Sequence, residues 1–363
     1  MLLIGIAFSF FVTFSTLPII IRLFRSINLL DAPDGRKVHQ MSKPTLGGIS
    51  IYAGVLMALM FVTPLSSLAE FKFFIAGVII CLLLGMRDDI SSLLASQKIV
   101  FQMLAAFVTV YYAGISLTGF YGLFGIDELP VWFSIALSVF MIISLSNAFN
   151  LIDGIDGLAA SIAIFVSLVF GVAFLLIGDE FFASVSFILA SSLVAFLIFN
   201  WNPSRIFMGD TGSLVTGFIL AVMAIRFINV SAGTVVGTEL FVNPVVMALS
   251  LLIVPIYDTL RVMLIRIYNG SSPFFPDKRH IHHTLIRQGF SHAQATLILV
   301  GFTIFTFIMA TQIEGMGLHL SVLVLVSLTI CFGAIWDIRL SRYLKGEKGT
   351  ALENSAMFVS KSA

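Results

Sequence analysis

Between residues 147 and 157 the chain reads Asn147-Ala148-Phe149-Asn150-Leu151-Ile152-Asp153-Gly154-Ile155-Asp156-Gly157, two amides and two carboxylates set between long apolar runs. An ionisable group at or near membrane depth is expensive unless it meets a cation, a metal or a polar ligand, so an acidic cluster in such surroundings is a functional-site hypothesis. Asp88-Asp89, Gly209-Asp210-Thr211-Gly212-Ser213 and Arg279-His280-Ile281-His282-His283 fill similar breaks. The adjacent carboxylates of Asp88 and Asp89 repel, unless they are solvated loop groups beside Arg87, and a divalent cation would relieve that. Asp153 and Asp156, three apart, share a face if the preceding helix continues through them. Gly154 and Gly157 permit close backbone approach there. Capping the next helix would account for one of these carboxylates but hardly for both.

Asp210, Thr211 and Ser213 suit a helix start, and Asp210 also suits a hard cation, with the helix N–H groups facing a phosphate. Oxygen donors without paired cysteines favour Mg2+ or Mn2+ over zinc. The run His280-Ile281-His282-His283 has poor chelating spacing on a regular helix and no nearby cysteine, so a loop that reads a sugar or phosphate is expected. Ser291 with Gln294 predicts a capping box. Asp258 and Arg261, at helical spacing after Pro255, read as a pair that neutralises itself on a kinked helix.

The elements that must position these groups are membrane helices. The composition is 59% hydrophobic and 11% charged, with a mean hydropathy of +1.06, far too apolar for an ordinary soluble domain. On a ruler of about 20 apolar residues per crossing, the predicted spans are 2–23, 46–65, 71–86, 99–117, 131–149, 158–177, 181–199, 212–230, 244–267, 293–311 and 318–338. The apolar runs do not alternate as barrel strands do, which predicts an all-α polytopic bundle of about eleven helices. Residues 1–338 read as one transmembrane catalytic domain, and 339–363 as a polar, basic cytoplasmic tail with a frayed end. Arg22 and Arg25 follow the first apolar run and no basic residue precedes it, so a retained helix is expected there instead of a cleaved signal.

With the N-terminus outside, every Lys and Arg except Lys72 and Arg226 falls on the inner side. That bias places the C-terminus and all four clusters on the cytoplasmic face. A transporter normally carries its ionisable groups at mid-membrane; here they gather at the edge, where a water-soluble anionic donor can meet a lipid acceptor.

With those residues in view, the chain resembles the polyprenyl-phosphate N-acetylhexosamine-1-phosphate transferases. The resemblance runs from Arg36-Lys37-Val38-His39 and Pro44-Thr45-Leu46-Gly47-Gly48 through the Asp88-Asp89, 147–157 and 207–213 motifs to Pro276-Asp277-Lys278-Arg279-His280-Ile281-His282-His283. The His280-Ile281-His282-His283 ending is similar to the GlcNAc branch, the WecA or TagO type, more than to the phospho-MurNAc-pentapeptide branch, which carries three consecutive histidines. The resemblance implies transfer of GlcNAc-1-phosphate from UDP-GlcNAc to undecaprenyl phosphate, with release of UMP, in the bacterial inner membrane, and with Mg2+ or Mn2+. It implies that Asp210 holds the metal with Asn150 close by. Asp88 would accept the proton of the lipid phosphate or hold its attacking oxygen, and Asp89 and Asp153 would complete the acidic centre. Lys98 would contact phosphate. Asp156, Asn200 and Phe207 would surround the uridine, and Arg279, His280, His282 and His283 the sugar. His39 and His292 are as readily surface groups. No nucleic-acid partner is implied, and the sequence leaves monomer and homodimer open. The competing class is a flippase or transporter for a lipid-linked sugar.

Overall fold

The computed structural model describes residues 1–26, 43–232, 242–272 and 279–360, with side chains to residue 344 in the last helix. The predicted Arg36, Lys37, His39, Pro276, Asp277 and Lys278 lie outside the described residues. The elements are α1 (Leu2–Ser26), α2 (Gly47–Val62), α3 (Leu65–Glu70), α4 (Lys72–Ile90), α5 (Ala95–Phe107), α6 (Val131–Ile152) and α7 (Leu158–Ile177). They continue with α8 (Glu180–Asn200), α9 (Gly209–Ala232), α10 (Pro244–Tyr268), α11 (Ile281–Arg287), α12 (His292–Gln312) and α13 (Leu318–Ser360).

Each predicted span holds a helix. Eight of them, α1, α6, α7, α8, α9, α10, α12 and α13, are long and apolar enough to cross a membrane, so this is an all-helical multi-pass membrane protein. The other three differ for plain reasons. Helix α2 is 16 residues long, and α4 carries Lys72, Arg87, Asp88 and Asp89 at its ends. Helix α5 begins earlier than the apolar run, where the Gln97 side chain accepts from Leu94 N at 3.1 Å, and passes into a π turn, Val108–Tyr112. Helix α13 runs on through residue 338, where the sequence reading drew its boundary.

Helix α9 is the inner post of the bundle, packed by α2, α4, α6, α7 and α10. Lipid tails give two helices no hydrophobic reason to associate, so close packing and interhelical hydrogen bonds must do it. Both are visible. The Ser146 hydroxyl donates to Leu214 O at 2.6 Å, tying α6 to α9, and Tyr52 on α2 shares a 2.6 Å hydrogen bond with Thr216. Gly85 on α4 faces the α9 backbone so closely that a Cβ there would stand 2.5 Å from Thr211 Cα. Asp88 and Asp210 therefore start from helices that nearly touch. The predicted capping box opens α12: Gln294 N donates to Ser291 Oγ at 3.2 Å, and Ser291 N to Gln294 Oε1 at 2.9 Å.

Two local expectations change. Asp88 and Asp89 stand on the last turn of α4, not in a loop after it. Asp153 and Asp156 do not share a helical face, because α6 stops at Ile152 and α7 starts at Leu158. The intervening turn is pinned from outside: Asn200 on α8 accepts from Gly157 N at 2.9 Å, and Gly157 adopts φ +80°, a conformation glycine takes without strain.

Candidate active site

The end of α4, the start of α5, the end of α6 and the start of α9 meet at one point. Lys98 places its ammonium between two carboxylates, pairing with Asp88 and lying 2.9 Å from Asp210 Oδ2. The other Asp210 oxygen accepts from Asn150 Nδ2 at 2.8 Å, and the same amide nitrogen lies 3.0 Å from Ser213 Oγ. Asp88 Oδ1 accepts from Leu93 N at 2.7 Å, which closes the α4–α5 turn over the carboxylate. Behind Lys98, Gln102 and Asn147 exchange amide hydrogen bonds of 3.3 and 3.0 Å, clasping α5 to α6.

Asp89 is engaged differently from its neighbour. Its carboxylate accepts from the backbone N–H groups of Asp210 and Thr211, both at 2.9 Å, and from the Thr211 hydroxyl. It therefore caps α9, satisfying N–H groups that a helix start leaves without intrahelical partners, and sets the direction of Asp210.

Asp153 follows the last residue of α6 and faces this centre from the turn. Burial, and then the neighbouring charges of Asp210, Asp89 and Asp156, hold its carboxyl well above the usual carboxylate range. Crowded negative charge of this kind favours a bound cation. Among the described residues no three His, Cys, Asp or Glu side chains form a ready metal cluster. Mg2+ is usually held by one or two carboxylates together with substrate phosphates and water. The hard oxygen donors of Asp210 and Asn150 suit it.

Asp156 gathers a second set of polar groups. Its buried carboxylate accepts from Ser204 N at 3.1 Å and Ser204 Oγ at 2.7 Å, with Lys43 Nζ at 3.9 Å and His292 Nδ1 at 3.7 Å from Oδ2. Lys43 also donates to Ser204 Oγ at 2.8 Å and lies 5.0 Å from the centroid of the Phe207 ring. Asn200 uses its amide internally, donating to Ile206 O at 2.9 Å while accepting from Gly157 N. Sequence reasoning missed Lys43 and Ser204, since neither belongs to an acidic or histidine run, and it left His292 as readily a surface group; the residues beside the recognised motifs were the pointer to the first two.

The histidine segment opens α11. The His282 ring lies against Gly154, where a Cβ would overlap it, so this segment touches the Asp153 turn. His282 is buried, and neither ring nitrogen has a hydrogen-bond partner among the described residues. Burial, followed by His283, His280 and His292, holds it well below the usual histidine range, and it stays neutral. The His280 and His282 rings stack at 5.7 Å, and His283 follows at 4.3 Å from His282. Arg279 is exposed, with its carbonyl accepting from Arg261 Nη1 at 2.8 Å. Asp258 and Arg261 are not a self-contained pair. They stand 3.8 Å apart, while Asp258 serves His280 and Ile281 and Arg261 binds Asp337 on α13 through Nε at 3.0 Å and through Nη2.

A multi-pass helical protein that collects carboxylates, the ammonium groups of Lys98 and Lys43 and a histidine row at one end of its bundle is built to handle a charged, polar substrate at a membrane edge. The glycosyl transferase family 4 pattern matches residues 71–228, which include Asp88, Asn150, Asp153, Asp156 and Asp210. Over 88% of this chain and 87% of the relative, the sequence is 32% identical to a probable undecaprenyl-phosphate N-acetylglucosaminyl 1-phosphate transferase of Bacillus subtilis. A decaprenyl-phosphate N-acetylglucosaminephosphotransferase of Mycobacterium leprae is 32% identical over 74% of this chain and 72% of its own. An undecaprenyl-phosphate alpha-N-acetylglucosaminyl 1-phosphate transferase of Escherichia coli K12 is 28% identical over 77% and 74%. The chain belongs to this family of polyprenyl-phosphate GlcNAc-1-phosphate transferases.

Proposed function

We propose that the protein transfers GlcNAc-1-phosphate from UDP-GlcNAc to undecaprenyl phosphate, giving undecaprenyl-diphosphate-GlcNAc and UMP. The observation that carries this reading is Lys98 held between Asp88 and Asp210, with Asn150 on the far side of Asp210. Joining two phosphates requires two anions to approach, and the protein's part is mainly positioning and charge compensation. Lys98 supplies a fixed positive charge for phosphate. Asp210 and Asn150 would hold Mg2+ or Mn2+, which would neutralise charge on the pyrophosphate of the donor. Asp88 would take the proton of the lipid phosphate or align its attacking oxygen. Asp89 holds the start of α9 in place, and Asp153 adds to the acidic centre. Direct attack is favoured over a phosphorylated aspartate, because a phosphate monoester is already an anionic nucleophile.

Asp156 and Phe207 would receive the uridine, with Asn200 fixing the two backbone segments between which it lies. Arg279, His280, His282 and His283 would face the sugar. With α2, α4 and α5 included, eleven crossings put the N-terminus outside and the site on the cytoplasmic face of a bacterial inner membrane, as the distribution of Lys and Arg favours. Purified protein given UDP-GlcNAc, undecaprenyl phosphate and Mg2+ should release UMP. No UMP would point to a transporter, and release only from UDP-MurNAc-pentapeptide would point to the peptidoglycan branch.

A further inference from the structure

Asp258 is the one carboxylate on α10, fully buried, and the reaction outlined above gives it no task. A charge in that position is costly unless it is paired and hydrogen-bonded. The structure shows what surrounds it. Oδ1 accepts from Ile281 N at 2.8 Å, the first helical residue of α11. Oδ2 lies 2.9 Å from His280 Nδ1. Arg261, one turn along α10, brings Nη1 to 3.8 Å of Oδ1 while it binds Asp337 on α13 and the Arg279 carbonyl.

The two oxygens have separable duties. Holding the start of α11 requires only an acceptor for Ile281 N, and Oδ1 supplies it. The bond from Oδ2 does something else. A carboxylate has no hydrogen to give, so His280 Nδ1 must carry the proton, and in a neutral imidazole that leaves Nε2 as the acceptor. From the far face of His280 the ring stack passes through His282 to Gly154 and the Asp153 turn.

We propose that Asp258 is a positioning residue for the nucleotide sugar: it fixes His280 in the tautomer protonated on Nδ1 and so presents Nε2 as an acceptor for a hydroxyl or amide N–H of the bound sugar. This rests on the assignment of the histidine row to the sugar. The Arg261–Asp337 pair keeps Asp258 and Arg279 in register from α13, so the last helix takes part in setting the row. A site whose acceptor becomes a donor faces the sugar's own donor with a second hydrogen, and binding suffers.

Asp258→Asn separates the duties. Its amide oxygen can still accept from Ile281 N, but its NH2 group can only donate to Nδ1, which moves the ring proton to Nε2. The KM for UDP-GlcNAc should rise at least about tenfold, while kcat and the KM for polyprenyl phosphate stay within about threefold, the pattern of lost binding rather than lost chemistry. In protein with 15N-labelled histidine, the His280 nitrogen signals, identified by their loss in His280→Asn, should exchange protonated and unprotonated positions in Asp258→Asn. That spectrum is read without substrate, so the tautomer stands or falls separately from the reaction assigned to the protein. An unchanged 15N pattern, an unchanged KM for UDP-GlcNAc, or equal rises in both KM values would overturn the proposal. If Asp258→Asn does not fold, His280→Asn carries the test, since its amide nitrogen can still donate to Asp258 while the Nε2 face is gone. A wild-type KM for UDP-GlcNAc in that variant overturns it equally.

Discussion

Two ends of this bundle use the same residue types and reach opposite results. Away from the site, Arg226 on α9 donates to Asp179 Oδ2 at 2.8 Å, and Asp179 caps α8 by accepting from Phe182 N at 3.2 Å. The guanidinium lies 5.8 and 5.7 Å from the ring centroids of Phe71 and Phe182. One acid meets one base, and aromatic faces cover the pair. Roughly 25 Å along α4, at about 1.5 Å per residue, Lys98 stands between Asp88 and Asp210, while Asp89 and Asp153 lie close enough to feel the charge of Asp210. The first arrangement is electrostatically closed. The second holds surplus negative charge, which weakens the folded state but gives a cation and two phosphates somewhere to bind. Charge balance, more than the presence of charge, separates a structural polar cluster from a working one in this membrane protein.

The largest expected effect is at the open end. Asp210→Asn should lower turnover at least about a hundredfold, the scale for losing one group of a preorganised electrostatic site, without lowering the thermal midpoint in detergent. Near-normal UMP release by that variant at limiting Mg2+ would show that the surplus charge is not the working feature. The closed end should behave in reverse. Arg226→Met leaves Asp179 buried with a lost partner, a cost of about 1–3 kcal/mol, and should lower the thermal midpoint while the folded fraction keeps its turnover. Adding Asp179→Asn should cost less than the sum of the single changes, since the two side chains form one unit.

The pH dependence of stability sharpens the contrast. Asp153 titrates above its ordinary value of 3.8 in the folded protein, so the fold keeps a proton that the unfolded chain releases. Its contribution to stability is therefore complete below pH 3.8 and is lost as pH rises through the folded-state value. Asp153→Asn should flatten that decline and raise the midpoint near neutral pH, even as activity falls. A variant with the wild-type slope would place the strain elsewhere.

Much of the fold was legible because its signal is local. A run of apolar residues long enough to cross a bilayer must satisfy its backbone within itself, and a helix does so. The capping box at Ser291 and Gln294 was legible for the same reason, being complete within four residues. The turn after α6 was not. Spacing alone would have carried the helix through Asp153 and Asp156, and it is Asn200, on another helix, that holds Gly157 in its place. Asp258 and Arg261 looked like each other's partners because helical spacing favours that, whereas His280, Ile281 and Asp337 reach them through space.

The sequence by itself determined an all-helical membrane protein whose carboxylates, amides and histidines fall in a particular order at the ends of apolar runs. Those properties follow from composition, period and the types of residue adjacent in the chain. The tertiary structure alone decided which carboxylate does what. Asp88 faces Lys98 while Asp89, its chain neighbour, caps α9, because successive residues on a helix point about 100° apart. It also decided that Lys43, Ser204 and His292 close around Asp156, since contacts between residues 48 or more positions apart depend on how helices pack and leave no mark in local spacing.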